Sequence, residues 1–112
     1  MKLIIAIVRP EKLPQIMKAL QDNGIQPLTV FEVRGRGEQG GLLLSHGPIQ
    51  YHMELLPKVR IEIAVPDNMV EKVVNIIQKV AWTGKPGDGK IFILTLEDAI
   101  RIRTGERGEK AL

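Results

Sequence analysis

Gly84-Lys85-Pro86-Gly87-Asp88-Gly89-Lys90 places three glycines and two lysines in seven residues. Such a segment is a flexible cationic turn whose backbone N–H groups can converge on phosphate oxygens. It matches the first seven positions of the P-loop pattern and then departs from it, because Ile91 stands where a Ser or Thr would bind Mg²⁺. It also runs from a helix into a strand, the reverse of a P-loop. A phosphate cradle of another kind, or an ordinary turn, remains.

Arg101-Ile102-Arg103 supplies a second cationic group. In an extended segment the two arginines point the same way, and paired guanidinium forks suit phosphate oxygens. A solvated basic tail is the alternative. Because the glycine turn and this segment flank one apolar run, a single anion could touch both. Gly35-Arg36-Gly37-Glu38-Gln39-Gly40 has the letters of a dinucleotide fingerprint, but Gly41-Leu42-Leu43-Leu44-Ser45 opens no helix. His46 and His52 have no nucleophile and orienting acid at triad spacing. These residue types point to binding more than to chemistry.

Short elements must position these groups. Leu3–Val8 is an apolar, partly β-branched run ended by Arg9-Pro10, a strand leading to a helix start. Leu13, Ile16, Met17 and Leu20 recur at helical spacing up to Asn23-Gly24. Leu28–Val33 is a second strand that stops at Gly35-Arg36-Gly37. The order then repeats. Val59–Val65 alternates as a half-buried strand, Pro66-Asp67 opens a helix with apolar residues from Met69 to Val80, and Ile91–Leu96 is the fourth strand.

Two βαβ units predict an α+β, ferredoxin-like double βαβ sandwich, with a four-stranded antiparallel sheet and both helices on one face. The open face needs a cover, and identical neighbours in a closed ring supply it. A long loop, about residues 36–55, separates the second and third strands and carries the apolar run Leu42-Leu43-Leu44. The 112 residues, with 44% hydrophobic and 26% charged side chains, fit a single domain over residues 1–112 with a C-terminal segment from 97 to 112. A charge of +3 and only four aromatics (Trp, Tyr and two Phe) disfavour nucleic acid. The absence of cysteine excludes disulfides and thiolate chemistry, and no run is long enough to span a bilayer, so a cytoplasmic protein without a transmembrane segment is expected.

Thr83-Gly84-Lys85-Pro86-Gly87-Asp88-Gly89-Lys90-Ile91-Phe92, with Ala99-Ile100-Arg101-Ile102-Arg103-Thr104-Gly105-Glu106-Arg107-Gly108, resembles the PII signal-transduction proteins, the GlnB and GlnK group. Arg9-Pro10-Glu11-Lys12-Leu13, Gly24-Ile25-Gln26, Leu28-Thr29-Val30 and Leu56-Pro57-Lys58-Val59 extend the match along nearly the whole chain. The resemblance implies a ferredoxin-like homotrimer with adenine-nucleotide sites in the clefts between subunits. Thr29, Gly35, Gly37, Glu62 and Ala64 would lie near base and ribose, with Gly87, Asp88, Gly89, Lys90, Arg101 and Arg103 around the phosphates of ATP or ADP.

The resemblance also implies a 2-oxoglutarate site formed through Mg²⁺ on ATP, using Gln39 as metal ligand with Lys58, Arg9 and Gly41. A partner protein, whether enzyme, transporter or regulator, would be controlled through the long T-loop, and Tyr51 matches a residue that some relatives have uridylylated. The chain departs from the family pattern at Glu38, Gly40 and Trp82, each change costing the site positive charge. ADP or AMP could therefore be preferred to ATP. The alternatives are a slow nucleotide hydrolase with Asp88 positioning water, a sensor of another small anion such as bicarbonate, and a purely structural trimer.

Overall fold

The computed structural model describes residues 1–37 and 55–112. The strand β1 (Lys2–Val8) buries Ile4, Ala6 and Val8 on one face, and Leu3, Ile5 and Ile7, partly buried, point to the other. After a 3-10 turn at Pro10–Lys12, α1 (Leu13–Asp22) buries Ile16 and Leu20. Its end is fixed locally. Gly24 has φ +80°, the Gly24 amide donates to Gln21 O at 3.0 Å, and the Ile25 amide donates to Leu20 O at 2.9 Å. That pattern is a Schellman cap, closed by the buried side chains of Ile25 and Leu20.

Next come β2 (Thr29–Gly35), β3 (Leu56–Val65), α2 (Val70–Ala81, after a 3-10 turn at Asp67–Met69) and β4 (Lys90–Thr95). The α2 residues Val70, Val73, Ile77 and Ala81 are buried at helical spacing. A final 3-10 turn covers Gly108–Ala111.

The sheet has the order β2-β3-β1-β4 with every adjacent pair antiparallel. Each βαβ unit therefore straddles a strand of the other, which is the ferredoxin-like α+β arrangement expected. One core unites Ile4, Ile61, Ile63, Ile16, Leu20, Val73 and Ile77 between sheet and helices. The alternate residues of the strands form the opposite face, where register sets Ile5 against both Glu62 and Phe92, and Leu3 against both Ala64 and Leu94. Phe92 and Leu94 remain about half exposed there.

Strand boundaries differ from the sequence reading in a consistent direction. β2 continues through Gly35, and β3 begins at Leu56 instead of Val59, because Arg34 and Gly35 pair with Pro57 and Leu56. β1 reaches β3 only at Val59, so Pro57 sits where β3 pairs with β2 alone and its missing donor is tolerated. Most of the long loop lies outside the described residues.

Candidate functional site

The glycine turn begins where α2 ends, at Trp82, whose extended backbone (φ −65°, ψ 130°) turns the chain out of the helix. Asp88 organises the residues between. Its Oδ1 accepts from the Thr83 hydroxyl and from Arg9 Nε at 3.2 Å, and its Oδ2 accepts from the amides of Thr83 at 2.8 Å and Gly84 at 2.9 Å. The Thr83 hydroxyl and amide, above all, hold this carboxyl well below the usual carboxylate range. Asp88 thus faces its own turn, and a water-activating role would require one of these bonds to break.

Gly89 closes the turn against β1. Its φ is +103°, and a Cβ built there would lie 1.7 Å from the Ile7 carbonyl oxygen. No other residue satisfies both the left-handed backbone and the close approach. Two cations brace the turn from neighbouring strands. Arg9, just past β1, donates from Nη2 to Pro86 O at 2.9 Å, and Lys58 of β3 donates from Nζ to Gly87 O at 2.7 Å. Burial, followed by the charge of Arg9, lowers the Lys58 pKa, opposed by Glu11 and Asp88.

These elements enclose a cavity of about 440 Å³, within the range of small-molecule sites. The β2 terminus contributes Gly35, Arg36 and Gly37, β3 contributes Lys58, and the turn contributes Lys85 through Lys90. Ile7 and Phe92 supply an apolar wall. Cations and turn amides beside an apolar wall suit a polyanion carrying a flat apolar group. Among the described residues that line the cavity, Asp88 is the one carboxylate, and its oxygens are already engaged. The lining therefore fits Mg²⁺ only where the ligand brings its own oxygen donors.

The structure divides the sequence-predicted residues into three groups. Gly35, Gly37, Lys58, Gly87, Asp88, Gly89 and Lys90 line the cavity, with Arg9 behind the turn. Thr29, Glu62 and Ala64 do not. Thr29 lies at the other end of β2 from Gly35, about 20 Å away at strand rise, and is paired with Glu62. Glu62 accepts from Arg60 Nε at 2.9 Å, and the Arg60 guanidinium lies 5.8 Å from the centroid of the Phe31 ring.

Arg101 and Arg103 form the third group and do not line the cavity. Their segment is not extended as expected. It folds into a turn in which Gly105 N donates to Arg101 O at 2.7 Å and Arg101 N donates to Glu106 O at 2.9 Å. The parity argument therefore does not apply, and Arg101 and Arg103 are not among the residues lining this cavity. Gln39, Gly41 and Tyr51, like His46, His52 and Leu42-Leu43-Leu44, lie outside the described residues.

Sequence reasoning did not single out Ile7, Arg36 or Phe92 for the site, nor Thr83 as the partner of Asp88, although Lys85 belonged to the cationic turn it marked. Thr83 carried a signal, since a hydroxyl at the start of a glycine turn with Asp five residues on favours capture of the turn's own amides. Trp82 is 67% exposed, with its ring over Gly84.

The model of the family "Nitrogen regulatory protein P-II" matches residues 1–106. Nitrogen regulatory protein P-II 2 of Methanothermobacter thermautotrophicus is 52% identical over 112 residues, covering all of this chain and 97% of that protein. Nitrogen regulatory protein GlnK of Escherichia coli (strain K12) is 47% identical over the full length of both. Among solved structures, the crystal structure of Arabidopsis thaliana PII bound to citrate superposes with a TM-score of 0.81 at 44% identity, over 99% of this chain and 91% of that one.

Proposed function

The chain belongs to the nitrogen regulatory protein P-II family, and on that premise we propose that it is a homotrimeric, cytoplasmic sensor that binds ATP or ADP between neighbouring copies. The observation that carries this reading is the one-sided cavity. A braced phosphate turn and an apolar wall line it, whereas Thr29, Glu62, Ala64, Arg101 and Arg103 lie on other surfaces of the same chain. A second copy that turned those surfaces toward the cavity would complete a nucleotide site. The half-exposed Phe92 and Leu94 on the uncovered sheet face support such an assembly.

In this reading the amides of Gly87 and Gly89 and the charges of Lys85 and Lys90 hold the phosphates, while Ile7 and Phe92 border the base. Lys58, which lines the cavity, is the carboxylate partner of 2-oxoglutarate, with Arg9 behind the turn as a further member of that site. Mg²⁺, when bound, supplies charge neutralisation between phosphates and metabolite, with Gln39 as its protein ligand. That the Arabidopsis thaliana PII crystal structure is bound to citrate, itself a carboxylate, supports a carboxylate ligand for this chain. The long loop is rooted at Gly37, on the cavity's rim, so a ligand that binds one loop conformation better than another shifts its population and thereby a partner protein in nitrogen metabolism. Glu38 and Gly40 reduce the positive charge near that root and favour ADP or AMP over ATP.

Calorimetric titration with ATP, ADP and AMP, each with Mg²⁺ and with or without 2-oxoglutarate, tests this. Saturable nucleotide binding at one site per chain is expected. Absence of binding by all three would overturn the reading, and metabolite binding without nucleotide would overturn its coupling to Mg²⁺ and ATP.

A further inference from the structure

Beyond β4 the chain has little apolar anchorage, since Ile100 is 57% exposed and Ile102 fully exposed. Polar bonds hold it instead. Asp98 Oδ2 accepts from Arg107 Nε at 2.9 Å and lies 2.7 Å from Arg107 Nη2. Asp98 Oδ1 accepts from the amides of Ala99 at 2.8 Å and Gly108 at 3.1 Å. The Gly108 amide also donates to Ala99 O at 2.9 Å, and Ile100 bridges Arg107. Closer to the tip, Arg101 Nη1 donates to Glu106 Oε1 at 2.9 Å, and the Thr104 hydroxyl donates to the same oxygen.

Two rungs therefore close a hairpin whose tip carries Ile102 and Arg103. The base rung has the larger number of bonds, because the one Asp98 carboxylate takes four donors, two of them from the Arg107 guanidinium. It lies away from the tip, so it does not touch the anion that Arg101 and Arg103 would meet. An exposed loop that ordered only on binding would weaken that binding by its lost conformational freedom, and a loop ordered beforehand avoids this cost.

We propose that Asp98 and Arg107 are positioning residues whose clasp holds Ile100–Glu106 in the shape that presents Arg101 and Arg103 to the phosphates of a nucleotide bound against a neighbouring copy. The inference rests on the nucleotide reading above. Neither residue contacts the ligand, and together they set how much of the arginines' charge is delivered in register.

The test compares ATP with AMP, which lacks the outer phosphates, by calorimetry on the full chain, with assembly size followed by light scattering. Asp98→Ala and Arg107→Ala are each expected to weaken ATP by about tenfold, to leave AMP within about twofold, and to show little further loss when combined, because both remove the same clasp. Arg107→Lys, which keeps the charge, is expected to recover part of the loss. Since Asp98→Ala also strips an acceptor from two amides, Asp98→Asn and Arg107→Ala carry the test if that variant fails to assemble. ATP affinity unchanged in both Asp98→Asn and Arg107→Ala overturns the proposal, as does an equal loss for ATP and AMP, the mark of a general support. A parent protein that binds no ATP overturns the nucleotide reading instead, and this inference with it.

Discussion

Asp88 is bonded twice to Thr83, receiving its hydroxyl on Oδ1 and its amide at 2.8 Å on Oδ2. A segment of three glycines, which would otherwise be costly to order, is thereby closed on itself before any ligand arrives. The same carboxylate ties the turn to β1 through Arg9 at 3.2 Å. The turn is thus preorganised by Asp88, whose carboxylate oxygens are engaged by Thr83, Gly84 and Arg9.

Replacing Asp88 by Asn keeps its size but removes the charge and turns one acceptor into a donor beside two amides. Nucleotide affinity is expected to fall by about tenfold, the scale of one lost charge-assisted bond. Calorimetric titration of the variant against ATP and ADP checks this, with an unchanged affinity counting against the staple.

Acid should expose the same bonds. The carboxyls of Asp88 and Asp98 are both depressed in the folded chain, by the Thr83 hydroxyl and by Arg107 respectively as the first causes. Their contribution is therefore complete above the unfolded carboxylate value of about 4 and is lost as pH falls through the folded values. The melting temperature is expected to be level from neutral pH to about pH 5 and to decline below about pH 4. Asp88→Asn should make that acid decline shallower, and thermal scans from neutral pH to about pH 2 on both proteins read it out.

Two glycine substitutions should differ in kind. Gly89→Ala places a Cβ 1.7 Å from Ile7 O, whereas Gly105→Ala meets nothing within 4 Å and strains only the backbone at φ +75°. Gly105→Ala is expected to cost about 1–2 kcal/mol. Gly89→Ala should exceed it and abolish nucleotide binding. Urea denaturation of both variants, paired with ATP titration, separates them.

Lys58 donates to Gly87 O at 2.7 Å, so its removal should disturb the turn even without a metabolite. Lys58→Met is expected to weaken ADP by about threefold to tenfold, the scale of one typical net hydrogen bond. Amide hydrogen exchange at Gly87 through Lys90 should quicken. Unaltered exchange there would assign Lys58 to the metabolite alone.

The two faces of the sheet predict opposite mutant behaviour. Ile77 is fully buried, and Ile77→Ala should lower unfolding stability by about 2–5 kcal/mol through the cavity it leaves. Leu94, 46% exposed on the uncovered face, should instead govern assembly. Leu94→Glu is expected to reduce the mass seen by light scattering from a trimer toward a monomer while helical circular dichroism persists.

Much of this was legible in the residues because it depends on local chemistry. The periodicity of Leu13 to Leu20 and of Met69 to Val80 determined two amphipathic helices, Asn23-Gly24 determined the end of the first, and the repeated strand-Pro-helix order determined a ferredoxin-like sandwich. The glycines and lysines of residues 84–90 marked, for the same reason, the turn that lines the cavity. Strand ends were less legible, since pairing across the sheet carried β2 through Gly35 and β3 back past Pro57 against their own turn-forming tendencies. Which residues share a cavity was a matter of register and sheet order alone. Gly35 meets the turn and Thr29 does not because they occupy opposite ends of one strand, and Arg9 and Lys58 reach the turn because β1 lies next to both β3 and β4. Arg101 and Arg103, only eleven and thirteen residues beyond Lys90, lie instead in a turn that carries the Asp98–Arg107 and Arg101–Glu106 pairs, side-chain bonds that no spacing along the chain encodes.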